Sequence, residues 1–482
     1  MSKILNLLAS KKVKILVGVI IAGAIGVMVA TTVTQAQFKG LIDFFAKVTA
    51  TSDVSQSIML DDHIYGVNAA WTYTANNVAG GETVFNGPHF IRNTASVPIK
   101  VKLETDPNPD NLDPSVIERV WHNVQITTGG NYKRDPNFLK TSDGRYWIFF
   151  AQSSNEYPND PDSSSDYGTY QIYYTVSLDK GETWSIPMAL PPVAIDAFDV
   201  AAIQDDTGKI WVFVSGSSGN QQIYYYTSED NGLTWNGPIA YGSVVGNHIH
   251  AIYTQGGTIA VFFDRGDGIY VDYKKPGDGW SGPQKIVDVS GAYLPKAMQD
   301  SSGKVRVVWT IPSQGIYMSV MGSDWNEWTH IGPIAQSSSG SLWDPYLYQD
   351  SDGKYWLAYA VWDEGGSNST WIEYKTSDDC MNWSQPRILV KFNDGRWSFW
   401  PVITENENHE RMIIYGSDNN WHSNTSKRDG QIWIAKTGTY WNINRPMKIT
   451  VPANSWIGVI VSNVFKDNVG ANTYRTVTTV KK

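Results

Sequence analysis

Cysteine is nearly absent: Cys380 is the single one in 482 residues. No internal disulfide can form, so an exported chain of this kind must rely on a large core, or on bound metal or glycan. Charge is also sparse, at 18% Asp, Glu, Lys and Arg, with a net balance of −9. Nucleic-acid binding needs a basic face, and this composition excludes it. There is no zinc-ligand spacing, no phosphate-cradling loop and no convincing Ser/His/Asp order. Between about 130 and 446 no 3.6-residue apolar period occurs, which argues against helices there. Aromatics, by contrast, are abundant, with Trp 21 and Tyr 26.

The long apolar run, "KKVKILVGVIIAGAIGVMVATTV", is near the N-terminus and follows lysines. It is long enough to cross a bilayer as a helix, with the rest of the chain outside. A leader cleaved near Ala36 is the competing reading of residues 1–36. Both readings make the remainder extracellular or cell-surface, either membrane-anchored or secreted.

A repeat dominates the rest. Trp184, Trp235, Trp280, Trp328, Trp383 and Trp441 recur at 45 to 58 residues. Upstream of each is a Tyr/Ile-rich strand, as in "YQIYYTVS" and "QQIYYYTS". Before that come a second strand ("YWIFFA", "YWLAYA"), a turn with Gly ("SDGR", "SDGK") and a third strand ("DPNFLK", "DPYLYQ"). A two-residue turn with positive φ would join such strands tightly. Four antiparallel strands repeated six times predict a six-bladed β-propeller over 119–446, and an all-β protein.

Two units carry S-x-D-x-G-x-T-W in full: "SLDKGETW" at 177–184 and "SEDNGLTW" at 228–235. The Asp can accept turn N–H bonds, the Gly permits a left-handed conformation, and the Trp can pack between blades. These are Asp-boxes, and residues 132–446 resemble the sialidase-like six-bladed propellers. In that family the boxes lie away from the active site, so the resemblance implies fold rather than activity.

In a propeller the first residues of the innermost strands gather at one rim. Alignment of the repeats puts there Arg134 and Asp135, Phe198 and Asp199, His248 and His250, Tyr293 and Lys296, Trp343 and Asp344, and Trp397, Phe399 and Trp400. Carboxylates beside large aromatics suit sugars, and two facing carboxylates can run glycoside hydrolysis. Asp135, Asp199 and Asp344 are the catalytic candidates. Arg134, His250, Lys296, Trp343 and Trp400 are candidates for substrate binding, joined by Arg265, Trp362 and Trp421 from rim loops. The acidic loop "SSNEYPNDPDSSSDYG" offers Glu156, Asp160, Asp162 and Asp166 as oxygen ligands for Ca²⁺. Neither reading requires a cofactor. A solvated loop explains the same acidic stretch.

The sialidase resemblance implies three arginines on a substrate carboxylate. Arg134 in "KRDP" matches the first, and Asp160 or Asp162 matches the general acid. The places of the other two arginines read "AYLPK" and "LWDPY", where Lys296 is a partial substitute and Asp344 would repel a carboxylate. Tyr293 is available for the family's nucleophilic Tyr. A second resemblance, of "RDPNFLKTSDGRYWIFF" and "WDPYLYQDSDGKYWLAYA", is to furanosidase-type and arabinan- or xylan-active propellers, usually five-bladed, in which Asp135 would match the general base.

The flanks, 37–118 and 447–482, also read as strands, and neither is large enough to bury a core alone. Together they predict one split β-sandwich, with the propeller inserted. Two unrelated β additions are the simpler alternative. The flanks, with the apolar run before them, resemble camelysin-like, fibre-forming surface proteins, which implies self-assembly with Gln37–Ala50 adding a strand to a neighbour. Two function classes stay open: a glycoside hydrolase, exo-sialidase-like or acting on a neutral sugar, and a non-catalytic glycan-binding or surface-assembly protein. A glycan or glycoconjugate is the expected partner in the first class and in the glycan-binding form of the second. The membrane joins it if the N-terminal helix is uncleaved.

Overall fold

The computed structural model describes residues 58–60, 63–65, 68–78, 80–106, 117–156, 158, 164–216, 222–337, 340–363, 370–391, 397–418, 430–437, 447–467 and 472–481. The N-terminal apolar run, with its anchor and leader readings, lies outside them, as do Asp160, Asp162 and Trp421. Among the described residues no helix is long and apolar enough to cross a membrane. Among the described residues one helical turn, Ser164–Tyr167, interrupts an otherwise all-strand fold.

Five consecutive repeats each form a four-stranded antiparallel sheet. Their first strands are Asn131–Lys140, Ala197–Gln204, Asn247–Tyr253, Tyr293–Gln299 and Gly340–Gln349. These first strands neighbour one another in order, and Ser398–Glu405 sits between the last and the first of them. Second strands such as Ile210–Gly216 and Tyr355–Asp363 are buried nearly end to end. Both faces are covered by neighbouring sheets, so they read as apolar runs rather than alternations.

The propeller therefore has five self-contained blades, which corrects the expectation of six. The sixth repeat supplies Ser398–Glu405, Arg411–Asp418 and Gly430–Thr437, but these do not close a sheet of their own. Its fourth place is taken by Ile117–Gln125, from before the first blade. That strand pairs by its other edge with Ser455–Phe465, which pairs with Thr83–Asn93. Each added strand leaves an edge on which the next can pair, and the sheet runs to eight strands. The other flanking strands form a separate sheet, in the order Asn68–Val78, Asn472–Lys481, Ile99–Asp106, Met447–Val451. The N- and C-terminal flanks thus pair with one another in both sheets.

The Gly turns are tighter in pattern than in length. Thr141 N donates to Arg145 O at 3.0 Å and Gly144 N to Thr141 O at 2.9 Å, and the same pair of bonds recurs at Asp205, Thr254, Asp300 and Asp350. The loops hold three residues rather than the expected two, with Gly144 at φ 83° absorbing the reversal. They also tie neighbouring repeats. Ser142 N donates to Gln204 Oε1, Gln255 N to Gln299 Oε1, Ser301 N to Gln349 Oε1 and Ser351 N to Glu405 Oε2, at 2.7 to 2.9 Å. Between the first and sixth repeats, Lys140 Nζ is 3.0 Å from Glu407 Oε1, and Tyr146 donates to Glu407 Oε2 at 2.7 Å.

The two S-x-D-x-G-x-T-W stretches fold alike. Asp179 Oδ1 accepts from Thr183 N at 2.7 Å and Oδ2 from Thr183 Oγ1 at 2.6 Å; Asp230 repeats this with Thr234 at 2.9 and 2.5 Å. Trp235 then packs edge-on against Trp147 and Phe149 of the preceding blade. Every hydrogen-bond partner of the Asp is local, so Asp179→Ala should lower the melting temperature and leave ligand binding and turnover at wild-type levels. Loss of either function in a folded Asp179→Ala protein would contradict a purely structural role.

Candidate functional site

Each of the six first strands carries a β-bulge near its start, between Arg134 and Asn137, Ala197 and Asp199, Asn247 and His250, Tyr293 and Lys296, Trp343 and Tyr346, and Phe399 and Val402. In five of them a non-glycine residue has positive φ: Asp135 (49°), His248 (47°), Leu294 (56°), Asp344 (52°) and Trp400 (56°). Such a conformation costs on the order of 1–3 kcal/mol, and bulges with it re-aim side chains next to functional sites. All five of these residues line one cavity of about 190 Å³. Phe198 and Asp199 line it from the second blade, and Tyr132, Arg134, Trp343, Trp362, Trp397 and Phe399 complete it.

One side of the cavity is aromatic. Trp362 stands 6.3 Å from Trp343 and 5.8 Å from Trp397, and Phe399 stands 5.3 Å from Trp400. The other side is charged. Arg134 Nε contacts Asp135 Oδ2 at 2.7 Å, and its guanidinium lies 4.5 Å from the Phe198 ring and 4.7 Å from the Trp400 ring. Asp344 Oδ2 accepts a long bond of 3.4 Å from Trp400 N. Asp199 is 4% exposed and has no hydrogen-bond partner among the described residues.

Burial pushes the Asp135 carboxyl up; Arg134 opposes this, Asp199 and Asp344 add to it, and the result is about 7. Burial raises Asp344 to about 6 against the opposing charges of Lys296 and His248. His248 is held the other way. Burial disfavours its cation, but Asp264 Oδ2 at 2.7 Å, with Asp199 and Asp135, outweighs that and raises it to about 9.

The structure thus gathers Asp135, Asp199, Asp344, Arg134, Trp343, Trp362 and Trp400 in one cavity. It leaves the other candidates elsewhere. His250 is buried, its Nδ1 accepts from Ala297 N at 3.1 Å, and burial followed by Lys296 holds it well below the usual imidazole range. Tyr293 and Lys296 flank the bulge whose left-handed residue, Leu294, reaches the cavity instead. Arg265 donates to Val245 O at 2.9 Å and covers Tyr270 at 4.6 Å. Glu156 is exposed and Asp166 sits on the helical turn; among the described residues no group of three metal-ligating side chains forms. Missed from the sequence were Tyr132, Asp264 and Leu294. His248 stood in the rim alignment but was passed over for His250. A positive-φ bulge at the same place in five of the six repeats separates His248 from His250 and Leu294 from its neighbours.

No family model matches the chain, and no curated protein matches it. Among solved structures it resembles a protein of unknown function from Dyadobacter fermentans, at 13% identity and TM-score 0.52, over 67% of this chain and 98% of that one. It also resembles the K499G mutant of NanB sialidase from Streptococcus pneumoniae, at 13% identity and TM-score 0.50, over 65% and 70%. The leech intramolecular trans-sialidase aligns at 13% identity and TM-score 0.49, over 66% and 71%. The fold resembles that of the sialidase propellers. At these identities the likeness extends to the fold alone.

Proposed function

We propose that the cavity binds one sugar ring of a glycan and hydrolyses its glycosidic bond, and that the sugar is neutral rather than sialic acid. The observation that carries this is Asp199, a buried carboxylate without a hydrogen-bond partner among the described residues, beside two carboxyls raised to about 7 and 6 and facing tryptophans. The volume, about 190 Å³, is below the roughly 300–1,000 Å³ of pockets for larger ligands and suits a single ring. In this reading Asp344 gives its proton to the leaving oxygen as the C–O bond breaks. Water adds to the anomeric carbon and yields its proton to Asp199. Asp135, held by Arg134, orients ring hydroxyls. Arg134 is the single arginine lining the cavity among the described residues, and it is paired with Asp135, so the described lining does not supply the three arginines that the sialidase resemblance implies for a substrate carboxylate.

The N-terminal apolar run supports an extracytoplasmic location. The pairing of N- and C-terminal flanks in two sheets supports a split sandwich beside the propeller.

The test is sugar release from a panel of neutral and sialylated glycosides, with bound glycan measured in the same samples. Release of a neutral sugar is expected. Inversion at its anomeric carbon would indicate carboxyls roughly 6.5–9.5 Å apart, and retention roughly 5–5.5 Å. Binding without release would leave a glycan-binding module, and release of sialic acid would overturn the neutral-sugar reading.

A further inference from the structure

His248 and Asp264 form a unit that the carboxylate chemistry above does not use. Asp264 ends the second strand of the third blade and is fully buried. Its Oδ2 contacts His248 Nδ1 at 2.7 Å and accepts from Leu294 N at 3.1 Å, while Oδ1 is buried without a partner among the described residues. The carboxylate thus fixes two adjacent bulges, those of His248 and Leu294, through one oxygen. A buried acceptor with an unused oxygen is expensive, and one strong charged partner offsets part of that cost. With Nδ1 on Asp264, the far edge of the imidazole is left for the cavity, which His248 lines with its side chain 28% exposed.

We propose that His248, held by Asp264, is a positioning residue of this cavity: its ring shares the space with Asp199, Asp135 and Asp344 and sets the charge that Asp344 carries. The proposal deepens the hydrolase reading and rests on it for its catalytic consequence, but its measurement does not depend on turnover. The groups that face the ring are Asp264 on its own sheet, Asp199 and Asp135 from the two preceding blades, and Asp344 from the fifth. The neighbouring first strand, Tyr293–Gln299, adds Lys296 and the Tyr293 ring, whose centroid is 6.4 Å away. Three carboxylates so close cannot all ionise without a cation among them, and Arg134 is committed to Asp135. Lys296 and then His248 lower the Asp344 carboxyl, and of the two His248 is the one that lines the cavity. A neutral ring would leave Asp344 protonated to higher pH.

The experiment is carboxyl ¹³C titration of ¹³C-aspartate-labelled full-length protein, with resonances assigned by Asp344→Asn and Asp199→Asn. In His248→Gln the Asp344 midpoint is expected to rise by about one pH unit or more, the scale for losing a nearby opposite charge. His248→Lys, which keeps a charge, should bring it back toward wild type. Asp264→Asn should shift the Asp344 midpoint in the same direction as His248→Gln and lower the His248 imidazole midpoint read in ¹³C-histidine protein. An unchanged Asp344 midpoint in folded His248→Gln, or no rescue by Lys, overturns the proposal. Both outcomes are readable whether or not sugar is released, so failure of the hydrolase reading and failure of this one are distinct.

Discussion

Asp344→Asn is expected to cut sugar release at least ~100-fold and, in the same protein, to raise the melting temperature at pH 7.5. The two effects share one cause. The folded Asp344 carboxyl titrates at about 6, above its unfolded value near 3.8, so the native state binds the proton more tightly. The stability this brings is fully present below the unfolded value and is lost as pH rises through about 6. At pH 7.5 the wild type bears a buried anion whose cost is capped at about 3 kcal/mol by that difference. Asn bears none, and like Asp it tolerates the left-handed backbone at 52°. Melting curves at pH 4.5 and 7.5 check this, because the advantage of the variant should appear at the higher pH and shrink at the lower. Wild-type release should itself fall as pH rises through about 6, where the proposed acid loses its proton. A variant no more stable at pH 7.5 than at pH 4.5, relative to wild type, would remove the case for a protonated Asp344.

Asp350→Ala should destabilise the fold by about 3–5 kcal/mol without touching the cavity. Asp350 is fully buried at the opposite end of the first strand that carries Asp344. Its Oδ1 accepts from Asp352 N and Lys354 N at 3.0 and 2.9 Å, closing the turn. Its Oδ2 accepts from Trp356 Nε1 at 2.8 Å and from Arg411 Nε and Nη2 at 3.1 and 2.5 Å. Arg411 belongs to the sixth repeat, so this one carboxylate joins the fifth blade to the eight-stranded sheet. Burial pushes Asp350 up, but the bonds from Arg411 and Trp356 outweigh it and hold it below the usual carboxylate range. Its contribution is therefore present above pH 4 and lost as pH falls through its lowered folded value. Asp352, the exposed second partner of Arg411, is the control, and its removal should cost no more than about 1 kcal/mol. Urea unfolding of the two variants at pH 7 measures the difference. Equal losses would mean that the buried bond is no stronger than the exposed one.

The sequence by itself determined the all-strand character, the repeat and the rim. Short apolar runs rich in Tyr, Ile and Val and bounded by Gly turns read as strands, and a unit that cannot cover its own faces must stack. The rim residues Asp135, Asp199, Asp344, Trp343 and Trp400 followed from aligning the repeats, because position in the repeat fixes height along the axis. Tertiary structure decided two things that periodicity cannot carry. Whether the sixth repeat closes on itself depends on which strand reaches its edge, and Ile117–Gln125 comes from outside the repeats. Which side chain enters the cavity depends on a bulge that breaks the two-residue alternation. His248 enters and His250 does not, Leu294 enters and Tyr293 and Lys296 do not, because one left-handed residue per bulge turns the strand by a step that no alternation of residue types records. The pairing of His248 with Asp264 depends on the same bulge, since Asp264 is the cross-strand partner of Asn247 and the left-handed His248 is the next residue along.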